Sequence, residues 1–194
     1  MDGLFKYYKE SLSDNLCDEY KSLWRMAMND NGKLMKLAMC QQSLPHVITY
    51  AYQGRGMSKD YLLTEFREYI NGYIVKDADG VKGYTYAMFV GDSQLSDING
   101  DIDVYAFLWC DDVCLEISEG MCPTIYVGCN SHIDISCVGC NSIRIYLFDD
   151  SSVTINADET CNVVVLKYSD KCNVIKDEFC LCDKIKEFDK ELRL

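Results

Sequence analysis

The chain has 194 residues, of which 48% are apolar, and a formal charge of −12 at pH 7. That apolar fraction is enough for a packed core and excludes a disordered tail, while the acid excess repels nucleic acid and membrane surfaces and favours a basic protein partner or cations. No apolar run approaches the roughly 18 residues that a membrane span requires, and Asp2, Lys6, Lys9 and Glu10 stand where an export signal needs apolar residues; a cytosolic setting is expected.

Residues 1–72 read as a small helical bundle. Leu16, Tyr20, Leu23, Trp24 and Ala27 fall at helical spacing behind Ser13-Asp14, which supplies an N-cap, and Asn29 to Gly32 closes the segment. Leu34, Leu37 and Ala38 mark one face of a second helix, which has to stop near Pro45 because proline clashes with a preceding helical turn. Ser43 is the expected cap of a third helix holding Val47, Ile48 and Ala51. Ser58 caps a fourth, with Leu62, Phe66, Tyr69 and Ile70, and Asn71-Gly72 ends it.

From Tyr73 the period becomes strand-like, and residues 73–120 form an acidic hairpin region that leads into a repeat region. Tyr73 to Val75 and Tyr84 to Val90 flank the turn-rich Asp77 to Gly83, and Asn99-Gly100 ahead of Asp101 to Cys110 is a strong hairpin signal. Residues 1–72 hold 9 basic and 9 acidic residues, so the charge lies downstream: Lys76 to Glu119 alone carries 10 acids against Lys76 and Lys82. The candidate binding face is Asp97, Asp101, Asp103, Asp111 and Asp112.

Residues 121–176 repeat one pattern, a small polar corner and then an apolar-x-apolar pair. The pairs are Ile125/Val127, Ile133/Ile135, Ile143/Ile145, Val153/Ile155 and Val163/Val165, with Val174 opening a sixth copy. Their first members are 8, 10, 10, 10 and 11 residues apart. Alternation at period two marks half-buried strands and the Asn, Ser and Gly corners mark turns; stacked copies share a core that none could bury alone. The pattern predicts a short β-solenoid, with the paired apolar side chains inward and Asp134, Arg144 and Thr154 outward. Residues 177–194 are expected to end it with an amphipathic helix (Ile185, Phe188, Leu192) covering the last open strand edge. The fold class is α+β.

Leu23-Trp24, the run Gln53-Gly54-Arg55-Gly56-Met57-Ser58-Lys59-Asp60-Tyr61, and Tyr69-Ile70-Asn71-Gly72-Tyr73 resemble the N-terminal module of uncharacterised proteins of phages and prophages of Bacteroides-type gut bacteria, crAss-like phages included. In that group the module precedes a β region with repeated Asn-Ser corners, similar to Asn130-Ser131 and Asn141-Ser142 here. The resemblance spans most of the chain and rests on structural motifs. It implies a mobile-element origin and a host-cytoplasm or virion setting, and brings no catalytic residues with it.

Twelve cysteines without an export signal are expected to be reduced and to act as small apolar residues. The rival is zinc at Cys137-x-x-Cys140, the only CxxC, with a second pair from Cys110/Cys114 or Cys180/Cys182. Asp97 to Asp103 looks like a calcium loop but has Ile102 and Leu108 where an EF-hand needs glycine and glutamate. Gln53 to Gly56 lacks phosphate-loop spacing. His46 and His132 are the only histidines and neither stands in a nucleophile motif. Tyr50, Tyr52, Tyr61 and Tyr69 are core or interface residues. The reading is a non-enzymatic, protein-binding accessory factor with no cofactor and no catalytic residue, able to form homo-oligomers; the alternatives are a virion or assembly component and an enzyme with an unrecognised site.

Overall fold

The computed structural model describes residues 8–9, 18–78, 82–91, 102–139 and 142–191. Among these are four helices, α1 (Asp18–Ala27), α2 (Asn31–Met39), α3 (Leu44–Tyr52) and α4 (Lys59–Glu65), and a 3-10 turn at Arg67–Tyr69. Asp30 caps α2 by accepting the Lys33 N–H at 3.0 Å, and Ser58 caps α4 by accepting the Tyr61 N–H at 3.2 Å. Ser43 precedes α3 but its backbone is already helical and its side chain makes no cap bond. Pro45 starts that helix instead, since its fixed φ suits the first turn. Gly32, expected as a helix stop, lies inside α2.

Downstream, the described residues form eleven strands: β1 (Val75–Lys76), β2 (Thr85–Val90), β3 (Val104–Leu108), β4 (Val113–Ile117), β5 (Thr124–Gly128), β6 (His132–Cys137), β7 (Ile143–Leu147), β8 (Ser152–Ala157), β9 (Val163–Lys167), β10 (Asn173–Lys176) and β11 (Ile185–Asp189). They make a seven-stranded sheet, β1-β2-β3-β5-β7-β9-β11, facing a four-stranded sheet, β10-β8-β6-β4. Only the β1–β2 pair is antiparallel, which is the expected hairpin across Asp77 to Gly83. Val113 pairs with Ile133 and Ile133 with Val153, so one turn takes 20 residues and two strands. Each sequence repeat is therefore half a turn, and alternate repeats stack in opposite sheets, giving a β-solenoid of about five turns. All eight of Ile133, Ile135, Ile143, Ile145, Val153, Ile155, Val163 and Val165 are buried between the sheets, while Asp134 and Arg144 are exposed and Thr154 half-buried.

The helices do not enclose a core of their own. Trp24, Met35, Met39, Ile48 and Phe66 pack in one cluster with Tyr86 and Met88 of β2, Val104 and Ala106 of β3, and Tyr126 of β5. The helical part is a layer laid on the outward side of the long sheet. Gly128 shows how closely: a Cβ there would overlap the Ile48 methyl of α3.

Two further expectations fail. Asn99-Gly100 lies outside the described residues, but β2 and β3 on either side of it run parallel, so they are not a hairpin; consecutive solenoid strands in one sheet share a direction. Among the described residues the C-terminal segment is strand β11 and not a helix, and Leu192 lies outside them. Ile185 stacks on Val163, and Lys167 of β9 bonds Glu187 at 3.1 Å and Asp189 at 3.5 Å. As a helix the segment would leave the inward Val163 and Val165 and the backbone groups of β9 uncovered, and a buried unpaired backbone group is costly. The new edge is protected by charge, with Lys186, Glu187 and Asp189 along β11 and Lys184 and Lys190 beside it, a common defence against strand addition.

Candidate functional site

The solenoid's corners consume much of the polar chemistry that the sequence displays. Asp103 at the start of β3 accepts the Thr85 N–H at 2.8 Å and the Thr85 hydroxyl at 2.9 Å, tying one turn to the next. Asp149 is almost fully buried and accepts the N–H groups of Cys129 and Asn130 at 2.6 and 3.0 Å and the Ser151 hydroxyl at 2.9 Å. Cys129 and Asn130 are both in the left-handed region, φ 57° and 58°, which turns their N–H groups toward that carboxylate. Burial raises the Asp149 pKa above the ordinary 3.8 despite these bonds. Asp158 is held well below 3.8, first by the Thr160 hydroxyl and then by the Gly139 N–H.

Cysteine and serine fill equivalent corner positions. Ser131 donates to the Gly128 carbonyl at 2.6 Å and accepts the Cys110 N–H, and Ser151 accepts the Ser131 N–H. On the other corner Cys161 donates to the Cys137 carbonyl and Cys182 to the Cys161 carbonyl. Eight of the ten described cysteines are buried; Cys114 and Cys122 are exposed. Cys137 lies in the inter-sheet core with its thiol against the Asn156 carbonyl, and Cys140 lies outside the described residues. Among the described residues no group of three His, Cys, Asp or Glu is placed to hold a metal.

Of the predicted acidic face, Asp97 and Asp101 lie outside the described residues, and Asp103 is committed to Thr85. Asp111 and Asp112 are exposed at the corner that leads into β4. Beyond them the register adds Glu116 of β4 and Asp134 of β6, both exposed on the outward side of the four-stranded sheet. Sequence reasoning placed Asp134 outward but did not connect it with Asp111 and Asp112; the 20-residue turn, which brings Cys114 beside Asp134, is the signal that does so.

On the same outward side His132 Nδ1 lies 2.5 Å from Ser152 Oγ, one turn apart. The two residues are register partners on β6 and β8, so the pair is a ladder contact. The predicted interface tyrosines divide. Tyr50 is buried with the Arg55 guanidinium 4.3 Å above its ring, Tyr61 and Tyr69 pack on Phe66, and Tyr52 is exposed. Tyr52 lines a cleft of about 620 Å³ between the end of α3 and the long sheet, with Phe148, Asp149, Tyr168, Lys171 and Lys190 on its other walls. Lys171 is paired with Asp150 at 3.2 Å.

Compared with family models, with curated proteins and with solved structures, the chain gives no match. Among the described residues no helix is long and apolar enough to cross a membrane.

Proposed function

We propose that the chain is a non-enzymatic protein-binding factor, a phage or prophage accessory protein acting in the bacterial cytoplasm on a basic host protein. One observation carries this reading. Asp103, Asp149 and Asp158 spend their charge on hydrogen bonds within the fold, whereas Asp112, Glu116 and Asp134 sit exposed on one side of a rigid platform. Like charges held together cost stability, and meeting a basic surface offsets that cost. The resemblance of the Gln53 to Tyr61 run supports the phage origin.

The test is capture and then kinetics. A tagged chain expressed in its native host is expected to retain one basic protein. Changing Asp111, Asp112 and Asp134 to Asn and Glu116 to Gln then slows association and flattens its salt dependence, because screening acts over roughly 8 Å at physiological ionic strength. An association rate indifferent to salt and to these changes overturns the reading. A virion or assembly role is the second reading, favoured by the open last turn, where Ile175, Phe179 and Leu181 are exposed. Detection of the chain in purified particles selects it.

A further inference from the structure

Among the described residues the helical layer covers the outward side of the long sheet over β2, β3 and β5 and reaches Tyr146 and Phe148 at β7, while the side grows more open toward β11, with Val164 and Leu166 of β9 half-buried and Lys186 and Phe188 of β11 exposed. From β7 to β11 the register lines up three rows along the solenoid axis. Tyr146 pairs with Leu166 and Leu166 with Phe188, so the middle row is apolar, ending in a Phe188 that is 46% exposed. Arg144 and Lys186 stand at the two ends of the row on one side of it. On the other side Lys190 lies beyond Tyr168, its N–H bonding the Lys167 carbonyl. Arg144, Lys186 and Lys190 are exposed and none of them has an ion pair among the described residues. A chain with a charge of −12 thus gathers unpaired cations around an apolar stripe.

The geometry points to an acidic amphipathic helix of a partner protein as the occupant, laid along the solenoid axis beside α3 so that the helical layer continues across the sheet. Lys186 and Lys190 are four residues apart on a strand, roughly 13 Å, which spans a helix of about 10–12 Å with its side chains. The stripe crosses three strands, about 10 Å, or roughly two helical turns of apolar contacts. Cations on both flanks meet carboxylates on both sides of the helix. Nucleic acid fits less well, because two of the three aromatic rings of this surface, those of Tyr146 and Tyr168, already stack on neighbouring rings. Tyr126 stacks on Tyr146 at 4.7 Å and Phe148 on Tyr168 at 4.9 Å, within 6° and 5° of parallel. This surface lies on the sheet opposite the acidic face, so each stands or falls alone.

The test uses the full chain and two labelled 14-residue helical peptides that share one leucine face, one with Glu and one with Lys on both flanks, read by fluorescence anisotropy. The Glu peptide is expected to bind at least tenfold tighter than its Lys twin despite the chain's net charge. Arg144→Glu with Lys186→Glu and Lys190→Glu is expected to invert that preference, and Phe188→Ser to weaken binding of the Glu peptide with no change in circular dichroism. Failure of both peptides to bind, equal affinity for the two, or a preference unmoved by the triple change overturns the proposal. So does self-association in sedimentation that the triple change abolishes, which would assign the face to a second copy. Displacement of the Glu peptide by a single-stranded oligonucleotide would assign it to nucleic acid and overturn the proposal equally.

Discussion

The two halves of the long sheet carry the same inward pattern and opposite outward ones. β2 and β3 are buried at nearly every position, their sequences TYAMFV and VYAFL almost unbroken in apolar character, because helices cover the side that does not face the solenoid core. β7 and β9 alternate, IRIYL and VVVLK, with only the inward positions fully buried. A strand's burial pattern therefore reports how many of its faces are covered, since VVVLK is nearly as apolar as VYAFL, while its inward row reports membership of the solenoid. Among the described residues the first half is held from two sides and β9 and β11 chiefly from one.

The largest effect that tests this contrast is at Ile145 and Arg144, adjacent residues on opposite faces of β7. Ile145→Asp places a charge between the sheets, where it has no partner, and is expected to abolish cooperative unfolding, since the cost of several kcal/mol consumes most of a typical stability of about 5–15 kcal/mol. Arg144→Asp is expected to leave the denaturation midpoint nearly unchanged. Equal loss in both would mean that the outward face of the second half is also covered.

A smaller break is Gly128→Ala. The added methyl collides with Ile48, so it is expected to cost about 1–3 kcal/mol as overpacking. Hydrogen exchange should rise in α3 and remain unchanged in β8 and β10. Uniform loss of protection would show that the helical layer and the distal turns unfold as one unit.

The corner carboxylates sharpen the comparison through pH, with opposite signs. Asp158 has a folded pKa below the ordinary 3.8, so its stabilisation is present above about that pH and is lost as the pH falls further. The advantage of the native chain over Asp158→Asn is expected to shrink in acid. Asp149 has a folded pKa above 3.8, so the folded state holds its proton more tightly and its contribution declines as pH rises through the interval above 3.8. The gap between the native chain and Asp149→Asn should therefore widen on acidification, and melting curves at several pH values read both.

The smallest effect is chemical access. Cys114 and Cys122 are expected to label rapidly in the folded chain, and buried Cys129, Cys161 and Cys172 only after denaturation. Burial pushes the Cys172 thiol up to about 11 and raises Cys129 as well, which depletes the reactive thiolate. Fast labelling of Cys172 in the native state would place the last turn among the frayed parts of the molecule.

The sequence by itself determined what is local. The apolar-x-apolar pairs declared the inward rows because side chains alternate along any strand; Ser58 declared its cap because the hydroxyl needs only the next turn of its own helix. Partnership between distant segments was decided by the tertiary structure. A ten-residue spacing does not say whether neighbouring repeats pair with each other or, as here, skip one to build two sheets. Nor does it say that Ile185 would join Val163 as a strand, since its spacing with Phe188 suits a helix equally well until Lys167 supplies the partner for Glu187 and Asp189. The acids were legible as a count but not as a site: Asp103 and Asp112 look alike in the chain, and only the turn that brings Thr85 to one of them separates a carboxylate that holds the fold from one left at the surface.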